Sequence, residues 1–479
     1  MNNLPDFPSL TEAFNITHLP ELIALVGGGG KTSLLFALAA ALPGRVVITT
    51  TTRIFSAQMK LAQAICYADD LADLTEKLDE VGRVLIVGQV QGEKALGVPP
   101  ALPAQLLARS DVDFVLVEAD GSRMRPIKAP ADHEPVIPSE TTLVIPVVGI
   151  DALDGPLEEV AHRPERVSAV ISEHCSVFSG RLNAKEVAFL LTHLQGGMKG
   201  VPDGARVIPL INKVESERQL QSARQIARSI LRNPHPAFRI PQVVIGAVNT
   251  DLPIREVQRQ VTAVILAAGE GKRMGQTKQL LPWGETTILG QTIRNLKQTA
   301  VTHILVITGH EAEKIAAIAT QESVPIRHNP NYASGEMLSS LQTAVRHLIT
   351  PAPQPLSLSS PAAILVILAD QPMIKPATID QLLIAFWRRE GELIAPVYNG
   401  RRGNPVLIGH RYFTELLALP VGEAPRTLLQ RHAADLLLIP VNTNSVLQDL
   451  DSPEQYERLY RDSVKSNDNA TKPRWNRYE

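Results

Sequence analysis

Two stretches of this chain bring together side chains that could do chemistry on a phosphate. The first is VILAAGEGKRMGQTKQLLPWG, Val264 to Gly284. An apolar strand, Val264 to Leu266, runs into Ala267, Ala268 and Gly269. Gly271, Arg273 and Lys278 follow. Glycine lets the backbone approach a ligand without a Cβ in the way. Successive N–H groups form a nest for an anion, and a helix N-terminus adds partial positive charge. With two cations at hand, a nucleoside triphosphate is the natural guest. The plain alternative is a strand–turn–helix corner that needs glycine only to turn. The second stretch is ILADQP, Ile367 to Pro372, where an apolar strand ends in one carboxylate, Asp370. A buried strand tip is a poor place for an unpaired charge. Mg²⁺ gives it a purpose, because that ion takes one or two carboxylates together with phosphate oxygens. An Asp that only opens a turn or caps a helix is the competing reading.

A second glycine-rich loop lies near the start, in ELIALVGGGGKTSLLFALAAAL. Here Gly27, Gly28, Gly29 and Gly30 precede Lys31 and Thr32. It looks like a shortened P-loop, in which N–H groups cradle phosphates, Lys reaches the outer phosphates and the hydroxyl meets Mg²⁺. The full pattern wants Gly at position 25, where Leu25 stands, and a glycine-rich corner is the competing reading. The strand VDFVLVEAD ends in Glu118 and Asp120, which with Thr32 are candidate metal ligands. VIPLINKVE offers Asn212 and Lys213 in a pattern like a guanine reader, with Glu215 at the usual Asp; a strand end before a polar helix start explains it equally well. ATP or GTP is the expected ligand of this half.

Two phosphate-loop candidates, each following an apolar strand, imply two α/β units. The expected organisation is a leader over 1–18, a P-loop-like α/β domain over 19–258, a Rossmann-like α/β domain over 259–462 and a disordered tail over 463–479. The seam at Asp251 to Thr262 reads as the last helix of the first domain. In the second, the strands AVILAA, HILVIT, PIRHN, AILVILAD, LIAPVY and LLLIPV predict an open, mostly parallel sheet with ligands outside its carboxyl edge. TPAPQPLSLSSP, Thr350 to Pro361, reads as a surface loop. The 479 residues bear a net charge of −2, so no basic field attracts nucleic acid or anionic lipid. No apolar run approaches the ~20 residues of a membrane span, and no secretory leader is visible. Cys66 and Cys175 form neither a metal spacing nor a disulfide framework. These features predict a cytoplasmic protein.

The Leu266 to Pro282 string resembles the signature of nucleotidyltransferases acting on the molybdenum cofactor, L-A-[AG]-G-x-[SG]-x-R-[MF]-G-x-x-K-x-L-L-P. Ala268 at the variable position resembles the cytidylyltransferase (MocA-like) branch of MobA-like enzymes. The resemblance extends to NPNYASGEMLSSLQTAV, where Gly335, Met337 and Ser340 match a nucleotide-side element. Without the resemblance, that segment reads as a cap at Ser334 and an amphipathic helix. GRRGNPVLIG places Arg402, Gly403 and Asn404 on the acceptor side. QDLDSPEQYERL resembles a closing motif in which Asp449 or Asp451 supplies a second metal carboxylate. The resemblance implies transfer of CMP from CTP to the phosphate of a molybdopterin-type cofactor. Arg273 and Lys278 would hold the triphosphate, and Asp370 the Mg²⁺. Transfer of GMP, transfer onto a sugar phosphate, and non-catalytic carriage of finished cofactor are the alternatives. The N-terminal half, with EADGSRMRPIKAPADHEPVIP as its longest run, resembles the YqeC family. That family is linked to maturation of selenium-dependent molybdenum hydroxylases. An apo-hydroxylase of the xanthine dehydrogenase type is therefore the implied protein partner.

Overall fold

The computed structural model describes residues 7–174, 178–232, 238, 240–270, 276–350 and 360–465. The chain divides into two compact units, 1–258 and 259–479. Both are mixed α/β.

The first unit is built on a ten-stranded sheet. Its longer strands are β1 (Glu21–Gly27), β2 (Val46–Thr50), β3 (Ala64–Tyr67), β4 (Arg83–Val87), β5 (Phe114–Glu118), β6 (Leu143–Gly149), β7 (Leu210–Asn212), β8 (Gln242–Gly246) and β9 (Ile254–Arg259). Their order is β9-β8-β7-β6-β1-β5-β2-β4-β3. β1 lies between β6 and β5, parallel to both. Central strands such as β5 and β6 are buried along their whole length. Parallel strands covered on both faces read as continuous apolar runs, which made them legible.

Three expectations change here. The seam segment forms a strand, β9, not a helix. Its polar residues hid that, because Glu256 and Gln258 are buried in it. Arg224 donates to both Glu256 oxygens, at 3.2 and 3.1 Å from Nε. The segment 1–18 is more than a leader from residue 7 on. Ser9 and Glu12 form a capping box on the short helix Leu10–Ala13. Phe14 is fully buried in the core, and Gln242 donates to the Ala13 carbonyl at 2.7 Å. Finally, the helix Pro453–Lys465 of the second unit runs through the first three positions of the expected disordered tail. Residues 466–479 and 351–359, the latter in the expected surface loop, lie outside the described residues, as does Cys175. Cys66 is buried and free.

The second unit has an eight-stranded sheet. Its longer strands are β10 (Val261–Ala267), β11 (His303–Thr308), β12 (Ile326–His328), β13 (Ala363–Leu368), β14 (Leu393–Tyr398), β15 (Val406–Gly409) and β16 (Leu436–Pro440). The order is β12-β11-β10-β13-β15-β14, then the short strand Arg401–Arg402, with β16 also beside β14. The β10–β13 half is parallel. β15 runs antiparallel to both β13 and β14, so the sheet is mixed. Four residues of β15 were too few to read from sequence. The helix Tyr332–Ile349 begins after Asn331, so Ser334 sits inside it and is no cap. Apolar clusters cover both faces of this sheet. No described helix is long and apolar enough to cross a membrane.

Candidate active site

In the second unit, β10 and β13 are neighbours, so the loops after Ala267 and Leu368 open on the same edge. Between them is a cleft of about 270 Å³. Leu266, Ala268, Gly269, Lys278, Ser340 and Asp370 line it, together with Tyr332 and Met337. Ala267 is buried behind it at the end of β10. Gly271 and Arg273 lie outside the described residues, and nothing is described of the side chains at 335 and 336.

The Lys278 ammonium bridges Asp451 at 2.5 Å and Asp370 at 3.4 Å. Burial works against its charge, but the two carboxylates overcome this and raise its pKa. Asp370 is pushed the other way. Burial raises its pKa, Lys278 opposes that, and the nearby Asp449 raises it further. Two carboxylates thus converge where charge is poorly solvated. That donor pair fits a divalent cation that also takes phosphate oxygens. The pattern left Asp449 and Asp451 equivalent; the fold does not. Asp449 accepts from Gln371, next to Asp370, at 2.6 Å and raises the Asp370 pKa, whereas Asp451 is the partner of Lys278. Among the described residues no three His, Cys, Asp or Glu side chains converge on a cation site.

These groups come from segments more than 170 positions apart. What joins them is an aromatic clasp. Trp283, just after Lys278, packs edge-on against Tyr456 and Tyr460 of the last helix. Tyr456 also donates to the Pro282 carbonyl at 2.6 Å. Gln455 accepts from the backbone N–H of Asp451 at 2.9 Å and fixes the start of that helix. Ser340 is held by Asn329, whose amide donates to it at 3.0 Å and to Ser339 at 2.8 Å. Asn329 opens that motif, and its role as the brace of Ser340 depends on the fold.

A second cavity, of about 420 Å³, shares Met337 and Leu368 with the first. Leu338, Leu341, Val406 and Leu429 contribute its apolar wall, and Arg402, Asn404 and Arg426 its polar groups. Gly403 is structural: a Cβ there would stand 2.3 Å from the Val446 carbonyl oxygen. Arg426 escaped the sequence reading because it sits on a six-residue helix without a motif.

In the first unit, the glycine loop follows β1 and Glu118 ends the adjacent β5. Thr32 Oγ1 donates to Glu118 at 2.9 Å and lies 3.0 Å from the donor Gln58 Nε2. Lys31 is buried, 3.1 Å from Asp120 and 3.8 Å from Glu118, and donates to the Gly27 carbonyl at 2.6 Å. Burial raises the Glu118 pKa, with Lys31 and Thr32 opposing. Asp120 also pairs with Lys128 at 3.1 Å and accepts from the Gly27 N–H. Two ammonium groups and an N–H already neutralise Asp120, so this arrangement does not fit it as a cation ligand. Nor are the N–H groups of Gly27, Gly28 and Gly29 open to a phosphate. Gly28 donates to the Val147 carbonyl at 2.9 Å and Gly29 to the Arg125 carbonyl at 3.0 Å. Gly30, at φ +118°, caps the helix Lys31–Ala41. Asn212 is an internal brace, donating to the Gly29 carbonyl at 2.9 Å and accepting from the Val248 N–H at 3.0 Å. Lys213 pairs with Asp151 at 2.7 Å.

The ion pairs continue outward from Lys128 to Glu134 at 2.8 Å and on to Arg163 at 2.8 Å. Burial raises the Glu134 pKa, but Arg163 and Lys128 outweigh it and hold the carboxyl at about 2. His162 is lowered to about 4, first by burial and then by Lys128, Arg163 and Arg123. Both shifts act in the same direction on stability. Between pH 6.5 and 4 an unfolded chain binds a proton at His162 that the native one refuses, so stability falls with pH in that window. The contribution of Glu134 is present above its unfolded value of 4.5 and is lost as pH falls towards 2. Replacing His162 with glutamine should flatten the upper window by roughly 1–3 kcal/mol and leave the lower one. Urea unfolding across that pH range checks it; an unchanged upper slope would refute the assignment.

The comparisons agree with this division. Residues 23–165 match the family described as YqeC protein, and residues 263–436 the MobA-like NTP transferase domain. The uncharacterized protein YqeC of Escherichia coli K12 is 30% identical over 252 residues, which cover 52% of this chain and 95% of that one. The molybdenum cofactor cytidylyltransferase of the same organism is 29% identical over 198 residues, 41% of this chain and 93% of that one. Nicotine blue oxidoreductase of Paenarthrobacter nicotinovorans is 29% identical over 221 residues, 44% of this chain and 98% of that one. With Lys278 and the aspartates of its cleft inside or beside the matched region, the chain belongs to the YqeC family in its first half and joins to it a MobA-like nucleotidyltransferase domain.

Proposed function

We propose that the second unit transfers CMP from CTP to the phosphate of a molybdopterin-type cofactor and releases pyrophosphate. The observation that carries this is the cleft in which Lys278 spans Asp370 and Asp451 while Asp449 is held by Gln371, next to Asp370. The names of the relatives do not settle the acceptor, since one is an oxidoreductase. The second cavity supports the choice. Its apolar wall suits a fused heterocycle, and Arg402 and Arg426 suit the phosphate on it. The Ala268 methyl supports CTP over GTP. It lines the cleft and cannot retreat, because Gly309 packs so near that a Cβ there would be 2.8 Å from it.

The chemistry asks for alignment and charge neutralisation. An acceptor phosphate oxygen forms a bond to the α-phosphorus, and the bond from that phosphorus to the pyrophosphate oxygen breaks. The acceptor is already ionised near neutral pH, so no residue must take its proton. Lys278 and Arg273 hold the triphosphate and the departing pyrophosphate. Asp370 and Asp449 would hold Mg²⁺, which supplies charge neutralisation at the α-phosphate. The first unit would bind ATP or GTP at Gly30, Lys31 and Thr32, after Lys31 leaves Asp120. The nucleotide-bearing cofactor would serve an apo molybdenum hydroxylase.

The test is pyrophosphate release with Mg²⁺ and molybdopterin-type cofactor, comparing CTP, GTP, ATP and UTP. CTP should exceed the others by at least about tenfold in kcat/KM. A preference for GTP would assign the guanylyl reaction instead. Pyrophosphate release with none of the four would favour a cofactor carrier.

A further inference from the structure

The first unit holds charged groups that nucleotide binding does not use. We propose that Arg123, His162 and Arg163 form a binding site for a small oxyanion, the phosphate or carboxylate of a second ligand, beside the glycine loop. This goes beyond the transfer reaction assigned to the second unit.

Three observations carry it. First, the backbone is held in the left-handed region at Arg123 (φ +49°), Met124 (φ +59°) and Arg163 (φ +63°). Non-glycine residues keep that conformation only where their surroundings impose it, and such places gather at ligand sites. Second, the short strands Ile127–Lys128 and Ala161–His162 pair with Lys128 opposite His162. The charges of Lys128, Arg163 and Arg123 all act on the His162 ring, with Glu134 the opposing carboxylate. Its Nδ1 is buried with no hydrogen-bond partner, which calls for a partner the described protein does not supply. Third, Arg123 and Arg125 are exposed, and neither forms an ion pair among the described residues. The inner carboxylates are already matched: Asp120 by Lys31 and Lys128, Glu134 by Lys128 and Arg163. An incoming anion would therefore meet Arg123 without displacing an existing pair.

The site adjoins the nucleotide loop directly. The 121–126 segment that carries Arg123 accepts from the Gly29 N–H through the Arg125 carbonyl, and from the Gly149 N–H through Pro126. An oxyanion there would sit near whatever the loop binds, as two substrates of one reaction must.

The probe is inorganic phosphate added to the full-length protein with isotope-labelled histidine, read at the His162 ring. Loss of the resonance in His162→Gln assigns it. Phosphate should shift the His162 signal saturably, while chloride at equal ionic strength should not. Arg123→Ala, an exposed change that leaves the core alone, should weaken the effect by at least about tenfold. A saturating non-hydrolysable ATP analogue should leave it in place. Malonate in place of phosphate tells a carboxylate ligand from a phosphate one, and saturable binding of either supports the site. No shift with either anion, an Arg123→Ala variant with unchanged affinity, or abolition by the ATP analogue would each overturn the proposal. The pyrophosphate assay on the second unit is unaffected by these outcomes.

Discussion

Asp370→Asn should lower CTP-dependent pyrophosphate release by about a thousandfold while the protein stays folded. The two halves of that expectation come from one environment. Asp370 is half-buried near Asp449, and desolvation and that neighbour disfavour its charge more than Lys278 favours it. Removing the charge therefore relieves the native state and takes nothing from the core. Lys278 keeps Asp451 at 2.5 Å, so it is not left unpaired. Besides the 3.4 Å ion pair to Lys278, what the variant loses is a carboxylate that a bound cation would use. Release within about tenfold of the parent, measured at saturating CTP, would show that Asp370 holds no metal. Asp449→Asn should follow Asp370, whereas Asp451→Asn should act through the set of Lys278 and change KM for CTP more than kcat.

Gly29→Ala should destabilise the first unit by about 2–5 kcal/mol, the sum of a strained backbone and an overpacked contact. Gly29 has φ +80°, and a Cβ there would stand 2.0 Å from the Gly149 nitrogen. The atoms met there are backbone of Val148 and Gly149, so the loop or β6 must move. The expected readout is a lower first unfolding transition in calorimetry, with the second unit's CTP reaction preserved. Full stability with impaired nucleotide binding would instead mean that Gly29 serves a phosphate and not the packing of its own fold. Gly28 makes the same point from another side, with the Arg125 carbonyl 2.5 Å from its virtual Cβ. The glycines of this loop are demanded first by protein neighbours, and the corner reading of the sequence captures that part.

The elements that could be read were those whose pattern is local. Continuous apolar runs such as AVILAA (263–268) and HILVIT (303–308) announce buried parallel strands; the observed strands are Val261–Ala267, displaced by up to two residues, and His303–Thr308. β9 was misread because its buried Glu256 is made tolerable by partners such as Arg224, a residue 32 positions away. β15 was missed because four residues carry too little pattern. The packed segment before residue 18 gave no sign beyond a few apolar side chains, since its docking depends on Gln242 and Arg206.

The same boundary runs through the sites. Residue order alone determined which groups could do chemistry: the glycine loops, Lys31, Lys278, the strand-end carboxylates and the acceptor-side Arg402. Backbone freedom and side-chain charge are properties of short stretches, so they are legible there. Tertiary structure decided what each group does with its neighbours. It separated Asp449 from Asp451 by docking Tyr456 and Tyr460 on Trp283. It spent the N–H groups of Gly27, Gly28 and Gly29 on carbonyl and carboxylate partners. It also set His162 among three cations without a partner for Nδ1. Those outcomes depend on distances between segments far apart in the chain, and Coulomb and hydrogen-bond energies follow distance in space, not position in sequence.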